Sequence, residues 1–346
     1  MRDVAFNVRA WSYAPLVTVL TPSYNRRKML GDTLASVRLQ TYPNVEHIVI
    51  DGGSTDGTLD LLRHAESAWG VRWTSGRDGG MYEALNHGLE LARGSIVGWV
   101  NSDDWLLPWT VETVVEEMRR RPFPHAVFGD YLALVVGEDS ARLQVYGQFN
   151  RRGLATVEAL AQPTVFWPLS ATQRFGQLDV GRYRQIADCE YWLRLSTELP
   201  FVKIREFLAL GQDHPETKRA SLAREITAEF AVLRTQYAPR RASRVAERVL
   251  SAARWRREWA ALLIGNGWSR SLESELVGLH WRRHNPCRAL LLYGPQRRHP
   301  PYLVRASVVR LIELLRDTWA ELEDGQPRGN GHSSATAEIQ ATELRP

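Results

Sequence analysis

The chain has 346 residues, 44% hydrophobic and 24% charged, the proportions of a globular protein with room for one large domain or two ordinary ones. No run approaches the ~18 apolar residues of a membrane span, and the two cysteines, Cys189 and Cys287, match neither a disulfide framework nor a zinc spacing, which points to a reducing, cytoplasmic setting. The net charge of +5 is uneven: Lys218 to Arg310 holds 19 basic and 6 acidic residues, a net +13, which leaves −8 for the rest and directs that stretch towards an anionic partner.

Arg2 and Arg9 open the chain, and no apolar run of signal-peptide length follows them. Leu16 to Thr21 is a short β-branched run ending at Pro22, the pattern of a buried strand. Arg27 to Leu39 reads as an amphipathic helix with Leu30, Leu34 and Val37 on one face. A second strand over His47 to Ile50 runs into the turn Asp51-Gly-Gly-Ser-Thr-Asp-Gly57, followed by a helix from Thr58 to Ala68 and a short strand from Val71 to Thr74. Met81 to Ala92 is helical and Ser95 to Val100 is a strand that ends in Asn101-Ser-Asp-Asp104. Strands that alternate with helices predict a mostly parallel α/β sheet with its ligand at the carboxyl ends of the strands. Those ends carry Ser23 and Asn25, Asp51 to Asp56, and Asn101 to Asp104.

Beyond residue 105 the periodicity predicts a helix over Val111 to Arg120, strands over Ala126 to Val136 and Leu143 to Phe149, and an aromatic-rich helix over Asp188 to Glu198. From 218 to 324 the chain is rich in Arg, Trp and Leu and reads as mainly helical, and 325–346 has the composition of a disordered tail.

Three constellations carry chemistry. Asp103 and Asp104, adjacent carboxylates after an apolar strand, suit a hard divalent cation and a substrate phosphate, or alternatively cap a helix. The glycines of the 51–57 turn let backbone approach a ligand, with Asp51 able to accept hydrogen bonds from a base or ribose; alternatively Ser54 or Thr55 caps the next helix. Asp188, opening an aromatic-rich helix, has a functional role only if it faces the cleft of the acidic pair, and is otherwise a cap or ion-pair partner.

Taken in order, these segments resemble family 2 glycosyltransferases of the GT-A fold over roughly Leu16 to His214. The supporting motifs are Val-Thr-Val-Leu-Thr-Pro-Ser-Tyr-Asn25, Ile-Val-Ile-Asp-Gly-Gly-Ser-Thr-Asp-Gly57, Gly79-Gly-Met-Tyr-Glu-Ala-Leu-Asn86, Ala92-Arg-Gly94 and Asn101-Ser-Asp-Asp104. Gln162-Pro-Thr-Val-Phe166, Phe175-Gly-Gln-Leu-Asp179 and Ala187-Asp-Cys-Glu-Tyr-Trp-Leu-Arg-Leu195 continue the series. The resemblance implies a GT-A catalytic domain over 1–217. Thr21, Ser23, Tyr24 and Asp51 would hold the nucleoside, and Asp78 and Asn86 would line the donor pocket. Asp103 and Asp104 would grip the diphosphate through Mg2+ or Mn2+, His214 would add a metal or phosphate contact, and Asp188 would be the base. Asn101 stands where many relatives carry Asp, so the acidic motif reads x-Asp-Asp, and Ala187 stands where Glu often precedes the base. The Gln-x-x-Arg-Trp motif of processive synthases is absent from the sequence.

The implied activity is inverting, non-processive transfer of one sugar from a UDP-, GDP- or dTDP-sugar to a glycan or lipid-linked hydroxyl, in the biosynthesis of cell-surface polysaccharide, glycolipid or another glycoconjugate. Trp255, Trp259, Trp268 and Trp281, interleaved with Arg254, Arg256, Arg257, Arg282 and Arg283, suit peripheral contact with an anionic membrane on its inner face, or equally a core or homodimer contact. Two other readings compete: a sugar-nucleotide nucleotidyltransferase, whose glycine-rich triphosphate loop is missing from Thr21 to Arg27, and a nucleic-acid-binding protein using the basic stretch, for which no recognised motif is present.

Overall fold

The computed structural model describes residues 14–135, 140–144, 149, 151–155, 160–213 and 222–237. Four strands, β1 (Val17–Ser23), β2 (Val45–Asp51), β3 (Arg72–Ser75) and β4 (Ile96–Trp99), pair in parallel in the order β3-β2-β1-β4. Helices α1 (Arg27–Arg38), α2 (Thr58–Trp69) and α3 (Met81–Leu91) connect them. Every residue of β1 is buried, as a strand covered on both faces requires, and its polar positions, Thr18, Thr21 and Ser23, carry only small hydroxyl side chains. Leu30 and Leu34 of α1 pack with Leu61, Leu62 and Ala65 of α2 against Val49. Leu85 and Leu89 of α3 pack with Leu20, Ile48 and Ile50 on the other face. The chain winds from β1 outward to β3 and returns to place β4 on the opposite side of β1. The topological switch point, where open α/β sheets bind ligands, therefore lies between the carboxyl ends of β1 and β4.

The parallel half stops at β4. β8 (Phe166–Pro168) joins β4 antiparallel, β6 (Ala126–Val135) pairs antiparallel with β8, and the 13-residue β9 (Phe201–Asp213) runs parallel to β6. β5 (Asp104–Leu106) closes the order antiparallel to β9, and β7 (Ser140–Gln144) pairs antiparallel with β6. The mostly parallel expectation therefore holds for the first hundred residues and gives way to a mixed sheet, because later strands are joined without the regular helical crossovers that enforce parallel pairing. Of the strand expected over Leu143 to Phe149, Leu143 and Gln144 belong to β7, and residues 145–148 lie outside the described residues. Phe149 lies outside any strand and stacks on Phe201 at 4.5 Å.

Helices α4 (Thr110–Arg119), α5 (Arg151–Leu154), α6 (Leu169–Phe175), α7 (Ala187–Leu195) and α8 (Ala223–Tyr237) complete the described chain. Trp192 of α7 stacks on Trp99 of β4 at 5.2 Å and meets Trp167 of β8 edge-on at 5.0 Å. This aromatic joint fixes α7 against the sheet. α8 falls beyond the boundary expected at 217, yet its Phe230 and Leu233 are buried in the same core as Trp192 and Leu20. The remainder of the basic region, with Trp255, Trp259, Trp268 and Trp281, and the tail from 325 lie outside the described residues. No helix among the described residues is long and apolar enough to cross a membrane.

Burial has one titration consequence. His47 in β2 is buried, with Nε2 2.9 Å from Thr21 Oγ1, and burial pushes its pKa down from 6.5 to about 3. Between those values the unfolded chain binds a proton that the folded one refuses, so stability falls as pH drops from 6.5 towards 3. We expect His47→Gln to flatten the pH dependence of unfolding free energy in that window by about 1.4 kcal/mol per pH unit. Urea titrations at pH 6.5, 5.5 and 4.5 check this; identical slopes for the two proteins would refute it.

Candidate active site at the carboxyl ends of the strands

The ends of β1 and β2 are in register at Ser23 and Asp51, and β3 ends opposite them at Ser75. Asp51 is buried, and its carboxylate organises the turn that follows. Oδ2 accepts from the N–H groups of Gly53 (3.0 Å) and Ser54 (2.8 Å) and from Ser75 Oγ (2.6 Å), while Oδ1 accepts from Ser54 Oγ at 2.5 Å. Ser54 is thus tied to Asp51 and caps no helix; α2 starts after Gly57, and Asp56 Oδ1 accepts from the Thr58 N–H at 3.1 Å. The turn is locked to the β1 end, with the Asn25 N–H donating to Ser54 Oγ (2.7 Å) and the Thr55 N–H to Asn25 Oδ1 (2.9 Å). Asn25 holds a left-handed φ of 51°, a conformation Asn tolerates better than most residues.

Above this turn Gly52 leaves a gap that a side chain would close. A Cβ there would lie 3.3 Å from both carboxylate oxygens of Asp78 and 3.3 Å from the Tyr24 ring. Tyr24 is 60% exposed, an aromatic face beside backbone and a carboxylate. Ser23 Oγ is buried and finds no hydrogen-bond partner among the described residues. Thr21, by contrast, is fully buried and given over to His47. Of the four residues expected to hold a nucleoside, Tyr24 presents an exposed face and Ser23 a buried hydroxyl without a partner among the described residues, whereas Thr21 and Asp51 build the floor beneath them.

The acidic pair sits at the end of β4. Asp104 does not cap a helix: it opens β5, buried, with Oδ1 accepting from Tyr131 Oη (2.7 Å) and Oδ2 from Asn101 Nδ2 (3.1 Å). Asp103 is half-buried, the more accessible of the two. Burial, and then the charge of Asp103, push the Asp104 carboxyl up to about 7. Asn101 Nδ2 also donates to Gln162 Oε1 at 3.0 Å, and its Oδ1, buried, is left without a hydrogen-bond partner among the described residues. Gly211 of β9 faces the pair; a Cβ there would collide with both Tyr131 Oη and Asp104 Oδ1. Oxygen donors, mutual carboxylate repulsion and an orphaned amide oxygen are a donor set that fits a hard divalent cation. No group of three or more His, Cys, Asp or Glu side chains with metal-site geometry occurs among the described residues, and His214 lies outside them.

Asp188 lies in the first turn of α7. Its Oδ1 accepts from the Cys189 N–H (2.9 Å) and from Tyr82 Oη (3.0 Å), and Tyr82 also reaches the Gln185 carbonyl at 3.0 Å. Tyr82 is on the first turn of α3, which begins just past Asp78, whose Oδ1 accepts from the Gly80 N–H at 2.9 Å. The motif around Asp78 and the helix of Asp188 are thereby joined by one side chain. Burial first, and the Asp188 charge second, hold the Tyr82 hydroxyl well above the usual phenol range, so it remains a proton donor. Asn86, which the resemblance puts in the donor pocket, uses its amide to bracket the Leu178 backbone instead. Its Nδ2 donates to the carbonyl and its Oδ1 accepts from the N–H, both at 2.9 Å. Its position well inside α3 turns it to the 176–179 loop.

Sequence reasoning missed Tyr82, Gln162, Tyr131 and Gly211. Tyr82 and Gln162 stand inside motifs already singled out; Tyr131 and Gly211 come from β6 and β9, whose pairing no local signal announces.

Known proteins resemble this chain. The model of the family described as Glycosyl transferase family 2 matches residues 18–142. A Mycobacterium tuberculosis protein named as an uncharacterized glycosyltransferase is 32% identical over 194 residues, 56% of this chain and 73% of that protein. A putative teichuronic acid biosynthesis glycosyltransferase of Bacillus subtilis is 30% identical over 190 residues, 53% of this chain and 73% of that one. Among solved structures, TarS of S. aureus shares the fold at a TM-score of 0.51 and 16% identity, over 91% of this chain, which spans 56% of that one. With a sheet that switches direction beside an acidic pair, and relatives matched over most of their length, the chain belongs to glycosyl transferase family 2 and is a glycosyltransferase.

Proposed function

We propose that the enzyme transfers one sugar, with inversion, from a nucleoside diphosphate sugar to a hydroxyl of a glycan or lipid-linked acceptor. What supports this reading is that Tyr24, Gly52 and Asp78 meet at the carboxyl ends of β1 and β2, on a sheet whose next strand, β4, runs on into Asp103 and Asp104. Tyr24 offers a stacking face for the base, and the orphaned Ser23 hydroxyl can bond the nucleoside. Asp51 acts through the turn it holds.

Asp103 is the residue best placed to meet Mg2+ or Mn2+, with Asp104 behind it. When bound, the cation supplies positive charge against the leaving diphosphate. Asp104, held by Tyr131 and Asn101, keeps Asp103 at the β4 end. Asp188 accepts the proton of the attacking hydroxyl as that oxygen bonds to the anomeric carbon and the diphosphate departs. The Tyr82 hydroxyl, a donor throughout, fixes Oδ1 of Asp188.

Curated relatives are named as glycosyltransferases of teichuronic acid and PGL/p-HBAD biosynthesis and as a chondroitin synthase, which supports a saccharide or glycolipid acceptor. The +13 stretch from Lys218 to Arg310 suits the inner face of an anionic membrane carrying such acceptors, in the cytoplasm. Nucleoside diphosphate release from a panel of UDP-, GDP- and dTDP-sugars tests the reading. Release from one donor class, stimulated by a saccharide acceptor and abolished by EDTA, is expected; release from none, with Mg2+ and with Mn2+, would refute it.

A further inference from the structure

We propose that Glu229, on α8, is a positioning residue for Asp188; the proposal rests on Asp188 being the base. Glu229 Oε1 accepts from the N–H of Arg184 at 2.9 Å, and Oε2 accepts from the N–H groups of Gln185 (2.9 Å) and Ile186 (3.1 Å). These are the three residues leading into α7, and Ile186 is its N-cap, a residue with no side chain able to cap a helix. One carboxylate thus satisfies three successive amides that would otherwise be orphaned, at the end of the helix where negative charge is favoured.

The peptide so gripped also carries the second hold on Asp188. The Gln185 N–H goes to Glu229, and the Gln185 carbonyl accepts from Tyr82 Oη, the same hydroxyl that bonds Asp188 Oδ1. The backbone two and three residues before Asp188 is therefore clamped from opposite sides by α3 and α8. α8 is itself anchored: Phe230 and Leu233 are buried, Tyr183 Oη donates to Gln236 Oε1 at 2.9 Å, and Tyr237 Oη donates to Glu190 Oε1 at 2.6 Å. Glu190 in turn holds Arg194 at 2.8 Å. Slippage of the first turn of α7 by a fraction of an ångström re-aims Asp188, and misplacement of about 1 Å costs on the order of 100-fold in rate. The segment following the catalytic fold is in this way wired to the base.

The test is a double-mutant cycle in the full-length enzyme, using the donor of the UDP-, GDP- and dTDP-sugar panel that releases nucleoside diphosphate fastest with Mn2+. Glu229→Ala, and the isosteric Glu229→Gln as the variant most certain to fold, are expected to lower kcat by about 10- to 100-fold with the donor KM within twofold. In an Asp188→Asn background the same substitutions are expected to change the residual rate by less than about twofold, because there is no base left to aim. Leu62→Ala, a cavity in the α1–α2 cluster that includes no residue of α7 or α8, is expected to lower the melting temperature and keep kcat. Equal rate losses with and without Asp188, or a kcat unchanged by Glu229→Ala, would overturn the clamp alone. An unchanged rate for Asp188→Asn by itself would overturn the base assignment and the clamp with it.

Discussion

Asp188→Asn is expected to lower sugar transfer by roughly 10²- to 10⁴-fold while donor affinity stays within twofold, the range that removal of a general base produces. The substitution is close to isosteric. The amide oxygen it introduces would still accept from Tyr82 and from the Cys189 N–H, as the native Oδ1 does, so the α7 turn and the Trp192 stack behind it should be undisturbed. Only the ability to take a proton is lost. Steady-state kinetics together with donor titration check this; loss of donor binding in step with activity would make Asp188 a structural residue instead. In transition-state terms the expected outcome is a fall in kcat at constant KM.

The second large effect is on stability. Lys203 of β9 and Asp130 of β6 form an ion pair in the core, with side chains 3% and 0% exposed, and the Lys203 ammonium lies 5.5 Å from the centre of the Phe128 ring. The pair sits at the β-bulge where the β6–β9 register shifts between Phe128 and Asp130. Two charges taken out of water roughly cancel their own attraction, but removing one strands the other. Lys203→Met is therefore expected to cost about 3–5 kcal/mol, a fall in melting temperature on the order of 10 °C. Adding Asp130→Leu should recover most of that loss, since a well-packed apolar pair avoids the desolvation of both groups. Urea unfolding of the wild type, the single variant and the double variant checks this; a loss below about 1 kcal/mol for Lys203→Met would contradict the cost assigned to breaking this buried pair. Because β6 and β9 carry Tyr131 and Gly211 to Asp104, the same variant should also weaken donor binding.

How far the sequence foretold this molecule depends on how local each feature is. β1, α1, β2, α2, β3, α3 and β4 were legible to within a few residues at each end, because each is an apolar run or stripe bounded by Pro22, by the 51–57 turn or by Gly94. The second half was less so. β5 and β8 are three-residue strands, too short for any period to register, and β9 mixes Lys203, Arg205 and Glu206 into its apolar pattern because it pairs with different partners along its length.

The site divides in the same way. Asp103, Asp104, Asp188, Tyr24 and Asp78 announced themselves as chemistry-bearing residues in ordered motifs. Which of them face a ligand was decided by hydrogen bonds that no spacing encodes. Asp51 spends its carboxylate on Gly53, Ser54 and Ser75, Asn86 spends its amide on Leu178, and Thr21 turns to His47. Glu229 was hidden for a different reason. It lies in a stretch whose composition reads as a basic tail, and only the burial of Phe230 and Leu233 in the first core brings it to the base.

The most direct measurement is ¹H NMR of the transfer reaction, following a UDP-, GDP- or dTDP-sugar of known anomeric configuration with Mg2+ and a saccharide acceptor. The expected spectrum shows the donor signal replaced by a glycoside of opposite anomeric configuration, with one nucleoside diphosphate released per sugar transferred, and the same conversion slowed by roughly 100-fold or more in Asp188→Asn. A product that keeps the donor's configuration, or transfer undiminished in Asp188→Asn, would contradict the assignment of this site as an inverting sugar-transfer centre with Asp188 as its base.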